Sequence, residues 1–254
     1  LQRALAELEL EPHNVALVAG IGCSGKIGNY VNSYNFHVTH GRALPSAMGI
    51  KLAKRNLTVI AAGGDGDGYG IGMGHLSHAI RRNMDITYVV MDNQVYGLTK
   101  GQNSPTSDMG FQTKGSPKNI ESPVRPSLGA VSLGATYVAQ GFSSDVRQLT
   151  RLIVEGIKHP GFALINAFSP CVTYNLINTY DWFRDNLVNL DEMDKESGRD
   201  VSDRGQALSL LREHDGWVRG LIYQDPNSQP MEDRIPGFSE ESLATSDLSL
   251  PDDL

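Results

Sequence analysis

The residues best placed to do chemistry are an aspartate and an asparagine, each at the end of an apolar run. Residues 63–74 read GGDGDGYGIGMG and put Asp65 in a Gly-Asp-Gly turn directly after LTVIAA. The next apolar run, DITYVVMDN, ends at Asn93, 28 residues beyond Asp65. A short strand–helix–strand crossover usually makes its two strands neighbours, so the Asp65 carboxylate and the Asn93 amide are expected side by side. Mg²⁺ suits such a pair, because it takes oxygen ligands in near-octahedral geometry and shares them between protein and substrate phosphates. Asp65, the Asn93 amide oxygen and the Val95 carbonyl would supply three ligands and leave room for a diphosphate. Glycines let backbone N–H groups approach those phosphates, and a helix starting near Gly70 would add the positive end of its dipole.

Other uses of a glycine-rich acidic turn fail on spacing. A dinucleotide fingerprint needs a third glycine where the registers from Gly66 onward place Ile71, Met73, His75 or Ser77. A phosphate loop ending in Gly-Lys-Ser/Thr is missing. A calcium loop starting at Asp65 would have its glycine at Gly70 but Leu76 where a glutamate is required. Gly-Asp-Gly alone is most often a plain turn. Its pairing with Asn93 at the next strand end argues for a site.

These residues must be held by a scaffold, and the chain alternates strand and helix patterns that would build one. NVALVAG (14–20), FHVTH (36–40), LTVIAAG (57–63), DITYVVMDN (85–93), ATYVAQG (135–141) and FALINAF (162–168) are short apolar runs bounded by turn residues. Helical patterns cover 43–56, 72–83 and 145–161, the first with its proline in the opening turn. The expected class is therefore α/β, a mostly parallel sheet with helices on both faces. In such sheets ligands bind beyond the carboxyl ends of the strands, where the glycine-rich segments fall. Residues 1–186 are expected to form the binding domain. Residues 187–254 are expected to be an acidic arm packed on a partner subunit, with one helix near 205–214.

Composition narrows the function classes. The chain has 254 residues, 40% of them hydrophobic, and a formal charge of −7. No apolar run approaches the ~20 residues of a membrane span, so a cytoplasmic protein without membrane contact is expected. The acidic balance without a basic tract gives no footprint for nucleic acid. The two cysteines, Cys23 and Cys171, imply no disulfide framework. The first residue is not Met and the chain opens in a helical pattern, so residues preceding Leu1 are expected.

GDG, the Asn of DNQVYG and the continuation YGLTKGQNSPTS resemble the thiamine diphosphate-binding segment of the β subunits of 2-oxoacid:ferredoxin oxidoreductases. GIGCSGKIGNY (20–30), THGRALPSAMGIKLA (39–53) and SPCVTYN (169–175) are similar to further signature stretches, so the resemblance covers about residues 1–186. It implies the thiamine diphosphate fold and oxidative decarboxylation of a 2-oxo acid to acyl-CoA and CO₂. 2-Oxoglutarate is favoured as substrate over pyruvate. It implies that Asp65, Asn93 and Val95 hold Mg²⁺, and that Ile21, Gly22, Cys23, Ser24, His40, Gly66, Asp67, Gly97 and Leu98 touch the cofactor. Lys26 and Lys100 match lysines that face the substrate. They are candidate catalytic residues together with His40, whose role is open between hydrogen-bonder and proton carrier.

By the same resemblance Cys23 and Cys171 are two of the four thiolates of a 4Fe–4S cluster. The other pair would lie in a Cys-x-x-Cys segment before the start of this sequence. The implied partners are an α subunit that supplies the cofactor-activating glutamate, ferredoxin as electron acceptor and coenzyme A as acyl acceptor. A dimer of such heterodimers is expected. A non-redox thiamine diphosphate-dependent decarboxylase or synthase would keep Asp65 and Asn93 without needing the cysteines. A non-catalytic regulatory subunit would need neither.

Overall fold

The computed structural model describes residues 1–236. The expected strands form, with small shifts at their ends. In chain order the first half comprises α1 (Gln2–Glu7), β1 (Val15–Ala19), β2 (Tyr34–His37), α2 (Ala43–Ala53), β3 (Thr58–Gly64), α3 (Met73–Arg82) and β4 (Thr87–Asp92). A small hairpin of β5 (Val95–Tyr96) and β6 (Gln102–Asn103) follows. Then come α4 (Pro126–Leu133), β7 (Tyr137–Phe142), α5 (Val146–Lys158) and β8 (Ala163–Phe168). The last described elements are α6 (Tyr180–Asn186), β9 (Val188–Asn189), α7 (Leu190–Ser197), α8 (Arg204–Glu213) and β10 (Val218–Gln224).

The main sheet has eight strands in the order β2-β1-β3-β4-β8-β7-β10-β9. The first six in that order run parallel, and β10 is antiparallel to β7. Strand alternation sorts its side chains to two faces. Ala16, Val18, Val59, Ala61, Tyr88 and Val90 pack with Leu44 of α2, Leu76 of α3, Val131 of α4 and Leu211 of α8. The intervening residues go the other way. Val15, Leu17, Ile60 and Ala62 pack with Leu5 of α1, and Val89, Ala139 and Ile165 with Leu152 of α5. Both faces are thus covered, which is why the strands read as continuous apolar runs.

Two expectations are corrected. The boundary at 186/187 is not a break in the sheet: β9 and β10 belong to it, and Val218, Ile222 and Leu211 are part of the main core. β10 hides in the sequence because Arg219 and Gly220 interrupt its apolar run. Gly220 has φ +132 and the pairing with β7 shifts between Leu221 and Tyr223, a bulge that spoils simple alternation. The remainder of the expected arm, 237–254, lies outside the described residues. The helix expected near Gly70 begins instead at Met73; residues Gly66–Ile71 form a wide π-type turn in which Gly70 leaves the helical region.

β1 connects to its neighbour on one side and β3 to its neighbour on the other. That reversal of winding opens a crevice at the carboxyl ends of β1, β3 and β4.

Candidate active site

A cavity of about 440 Å³ fills that crevice, and all the residues expected to touch cofactor or Mg²⁺ line it. Ile21, Gly22, Cys23 and Ser24 come from the loop after β1, and His40 from the loop after β2. Asp65, Gly66 and Asp67 follow β3, while Asn93, Val95, Gly97 and Leu98 follow β4. Lys26 and Lys100 do not line the cavity. They are exposed, Lys26 in the turn that begins at Ser24 and Lys100 next to the lining residue Thr99.

β3 and β4 pair in parallel, with Gly64 opposite Met91, so Asp65 and Asn93 leave neighbouring strands together. Asp65 is buried, and no cationic side chain pairs with it among the described residues. Its Oδ2 accepts a hydrogen bond from the Thr106 hydroxyl at 2.8 Å, and its Oδ1 lies 3.5 Å from the Asn93 backbone N. Asn93 Oδ1 accepts from the Val95 N–H at 3.1 Å, which folds the turn after β4, and both residues line the cavity. Burial raises the Asp65 carboxyl above the ordinary carboxylate range, against hydrogen bonds from Ser104 and Thr106 that lower it. Asp92, also buried, is raised by burial and then by Asp65. Buried carboxylates are normally paired or bound to a cation. An oxygen donor set around an unpaired buried carboxylate fits Mg²⁺.

Asp67 does a different job. Its Oδ1 accepts from Ile21 N at 3.0 Å and Gly41 N at 2.8 Å, tying the loops after β1 and β2 to the turn after β3. His40 Nδ1 lies 2.9 Å from the same oxygen but out of line for a hydrogen bond. Asp67 Oδ2 and Ser24 Oγ are buried without partners, and the Ser24 hydroxyl belongs to the cavity wall. A free donor beside glycine backbone suits a phosphate group. At Gly66 a Cβ would come within 2.1 Å of the Tyr96 ring, so only glycine lets that ring close over the turn.

The cysteines, 148 positions apart, converge. A Cβ added to Gly97 would be 3.6 Å from Cys23 Sγ and 3.7 Å from Cys171 Sγ, so both thiols flank one glycine at the cavity wall. Among the described residues no group of three or more His, Cys, Asp or Glu side chains is placed to hold a metal ion.

Sequence patterns miss the residues behind the site. Tyr96, Met91 and Ser169 line the cavity, and Thr106 reaches Asp65 from beneath. The Tyr69 hydroxyl donates to Asn166 Oδ1 at 2.8 Å, and Asn166 Nδ2 donates to Asp92 at 3.2 Å, extending the polar network into the core. The stretches that carry the resemblance contain Tyr96, Thr106 and Ser169 but give none of them a role.

Residues 20–167 match the family model "Thiamine pyrophosphate enzyme, C-terminal TPP binding domain", and residues 171–240 match the model for the C-terminal part of the pyruvate ferredoxin oxidoreductase beta subunit. The first match covers more than half of the chain and defines the class, an enzyme domain that binds thiamine diphosphate. The β subunit of 2-oxoacid:ferredoxin oxidoreductase from Saccharolobus solfataricus is 44% identical over 95% of this chain and 83% of that one. The 2-oxoglutarate synthase subunit KorB of Archaeoglobus fulgidus is 42% identical over 72% of each chain. A solved 2-oxoglutarate:ferredoxin oxidoreductase from Magnetococcus marinus, with 2-oxoglutarate, coenzyme A and succinyl-CoA bound, superposes with a TM-score of 0.86. It is 41% identical, over 91% of this chain and 79% of that one. The chain belongs to the β subunits of the 2-oxoacid:ferredoxin oxidoreductases.

Proposed function

We propose that this β subunit, joined to its α subunit, oxidatively decarboxylates 2-oxoglutarate to CO₂ and an acyl-CoA and passes two electrons through a 4Fe–4S cluster to ferredoxin. The observation that carries the redox part is the convergence of Cys23 and Cys171 on Gly97, a residue of the cavity wall. A decarboxylase that releases no electrons has no use for two thiols there. The choice of 2-oxoglutarate is supported by the KorB relatives and by the substrate named for the Magnetococcus enzyme.

Bound thiamine diphosphate would supply the nucleophilic carbon and the electron sink that a 2-oxo acid needs to lose CO₂. This chain would contribute position and charge. Asp65, the Asn93 amide oxygen and the Val95 carbonyl would hold the Mg²⁺, with the Ser24 hydroxyl and the glycine backbone at residues 64–66 toward the diphosphate. Asp67 would keep the loops after β1 and β2 closed around it through Ile21 and Gly41. Lys26 and Lys100, on exposed positions beside the lining segments, would draw in a dicarboxylate. Cys23 and Cys171 would hold two corners of the cluster, which takes two further thiolates beyond those of this sequence.

The test compares initial rates of ferredoxin reduction by the anaerobic α/β complex with 2-oxoglutarate, pyruvate and branched-chain 2-oxo acids. The dicarboxylate is expected to have the highest kcat/KM, and Lys100→Ala to erode that preference by raising its KM. A complex that prefers pyruvate contradicts the substrate reading.

A further inference from the structure

We propose that the tetrapeptide at 104–107, Ser-Pro-Thr-Ser, is a brace that sets the geometry of the Mg²⁺ ligands, with Thr106 as its positioning residue. This rests on the Mg²⁺ reading above.

The ligands sit on two separate loops, Asp65 after β3 and the Asn93–Val95 turn after β4. Something must fix one loop relative to the other, and the tetrapeptide touches both. Thr106 is buried and lies 41 residues beyond Asp65 in sequence. Its hydroxyl stands 2.8 Å from Asp65 Oδ2 and 2.9 Å from Asp92 Oδ1. A hydrogen bond to Oδ2 fixes the rotation of the carboxylate and leaves Oδ1 on the Asn93 side. The Ser104 hydroxyl, 3.3 Å from that of Thr106, backs the contact.

The same segment grips the second loop. Gln94, between the two other ligands, has φ +58, a conformation that a glutamine keeps only when its surroundings enforce it. Three hydrogen bonds enforce it. Gln94 Nε2 donates to the Thr106 carbonyl at 3.0 Å, the Ser107 hydroxyl donates to the Gln94 carbonyl at 2.6 Å, and Gln94 N–H donates to Asp92 at 3.2 Å. Ser104 N–H in turn donates to the Ser107 hydroxyl at 2.8 Å, holding the brace itself in shape. One tetrapeptide therefore orients the carboxylate, the amide and the carbonyl together. Groups that orient metal ligands in this way typically set metal affinity rather than foldedness.

The test titrates Mg²⁺ against retention of thiamine diphosphate by the metal-stripped α/β complex, with bound cofactor and the thermal unfolding of the stripped complex as readouts. Thr106→Val, which keeps the shape and removes the donor, is expected to weaken Mg²⁺ about 10–100-fold while the stripped complex assembles as before. Thr106→Ser restores the donor and is expected to return the wild-type Mg²⁺ dependence, a rescue that a purely packing role would not produce. Gln94→Leu, which cuts the grip on the Thr106 carbonyl and leaves the hydroxyl, is expected to weaken Mg²⁺ too, and it stands in for Thr106→Val should that variant fail to assemble. Wild-type Mg²⁺ dependence in either assembled variant overturns the brace. Asp65→Ala serves as control: if it and the wild type both retain cofactor without Mg²⁺, the metal reading itself falls, and the brace with it.

Discussion

A single glycine shows how closely the site is packed. A Cβ on Gly20 would fall 2.0 Å from Asp67 Oδ2, inside the carboxylate that holds Ile21 and Gly41. Gly20→Ala is expected to push Asp67 off those N–H groups and to destabilise the protein by about 1–3 kcal/mol, the usual cost of overpacking. A urea titration measures it; an unchanged midpoint would show that the carboxylate is not pinned. Asp65 and Asn93, the proposed metal ligands, are legible at this scale because ligands in such a sheet bind beyond the carboxyl ends of the strands, and a glycine-rich turn marks a strand end. Thr106 and Gln94 are not. Their partners lie on other loops, and no local pattern records a hydrogen bond spanning 41 residues.

Among elements, the amino-terminal ends of β7 and β8 meet the end of α3 through buried polar groups. Asn83, in the left-handed conformation that ends α3, accepts from Thr136 Oγ1 at 2.7 Å and Phe162 N at 2.9 Å, and donates to Ser228 and to the Gln229 carbonyl. His159 joins this group, with Nε2 2.9 Å from Thr136 Oγ1 and Nδ1 buried without a partner. Burial pushes the His159 imidazole down to about 4 from an ordinary 6.5, with Asp225 and Asp85 opposing. Above pH 6.5 the ring is neutral in folded and unfolded chains alike. As pH falls from 6.5 toward 4, only the unfolded chain takes up the proton, so stability is lost through that window, by roughly 3 kcal/mol at most. Urea midpoints measured across the window should fall less steeply for His159→Gln than for the wild type. Identical slopes would contradict the burial of a neutral histidine.

The strands flanked by helices on both faces can be read from sequence because burial on both faces leaves an unbroken apolar run. The apolar pattern places β2 two residues late, since this edge strand is exposed along its length and carries no such run. α4 escapes the pattern because PSLGAVSL has no polar face to set a helical period. β10 escapes it because of its bulge.

For the whole molecule, the sheet brings together what the sequence keeps far apart. The turn after β3, the loops after β1 and β4 and the segment after β8 meet in one crevice, where an unpaired carboxylate and two thiols share a wall. The central claim is that this wall couples 2-oxo acid chemistry to a cluster. The most direct measurement is iron and acid-labile sulfide in the full-length α/β complex purified without oxygen, for the wild type, Cys23→Ser and Cys171→Ser. The account predicts both elements in the wild type and their loss from each variant, with thiamine diphosphate still bound in Cys171→Ser. A wild-type complex that reduces ferredoxin while holding neither iron nor sulfide, or variants that keep both, would contradict it.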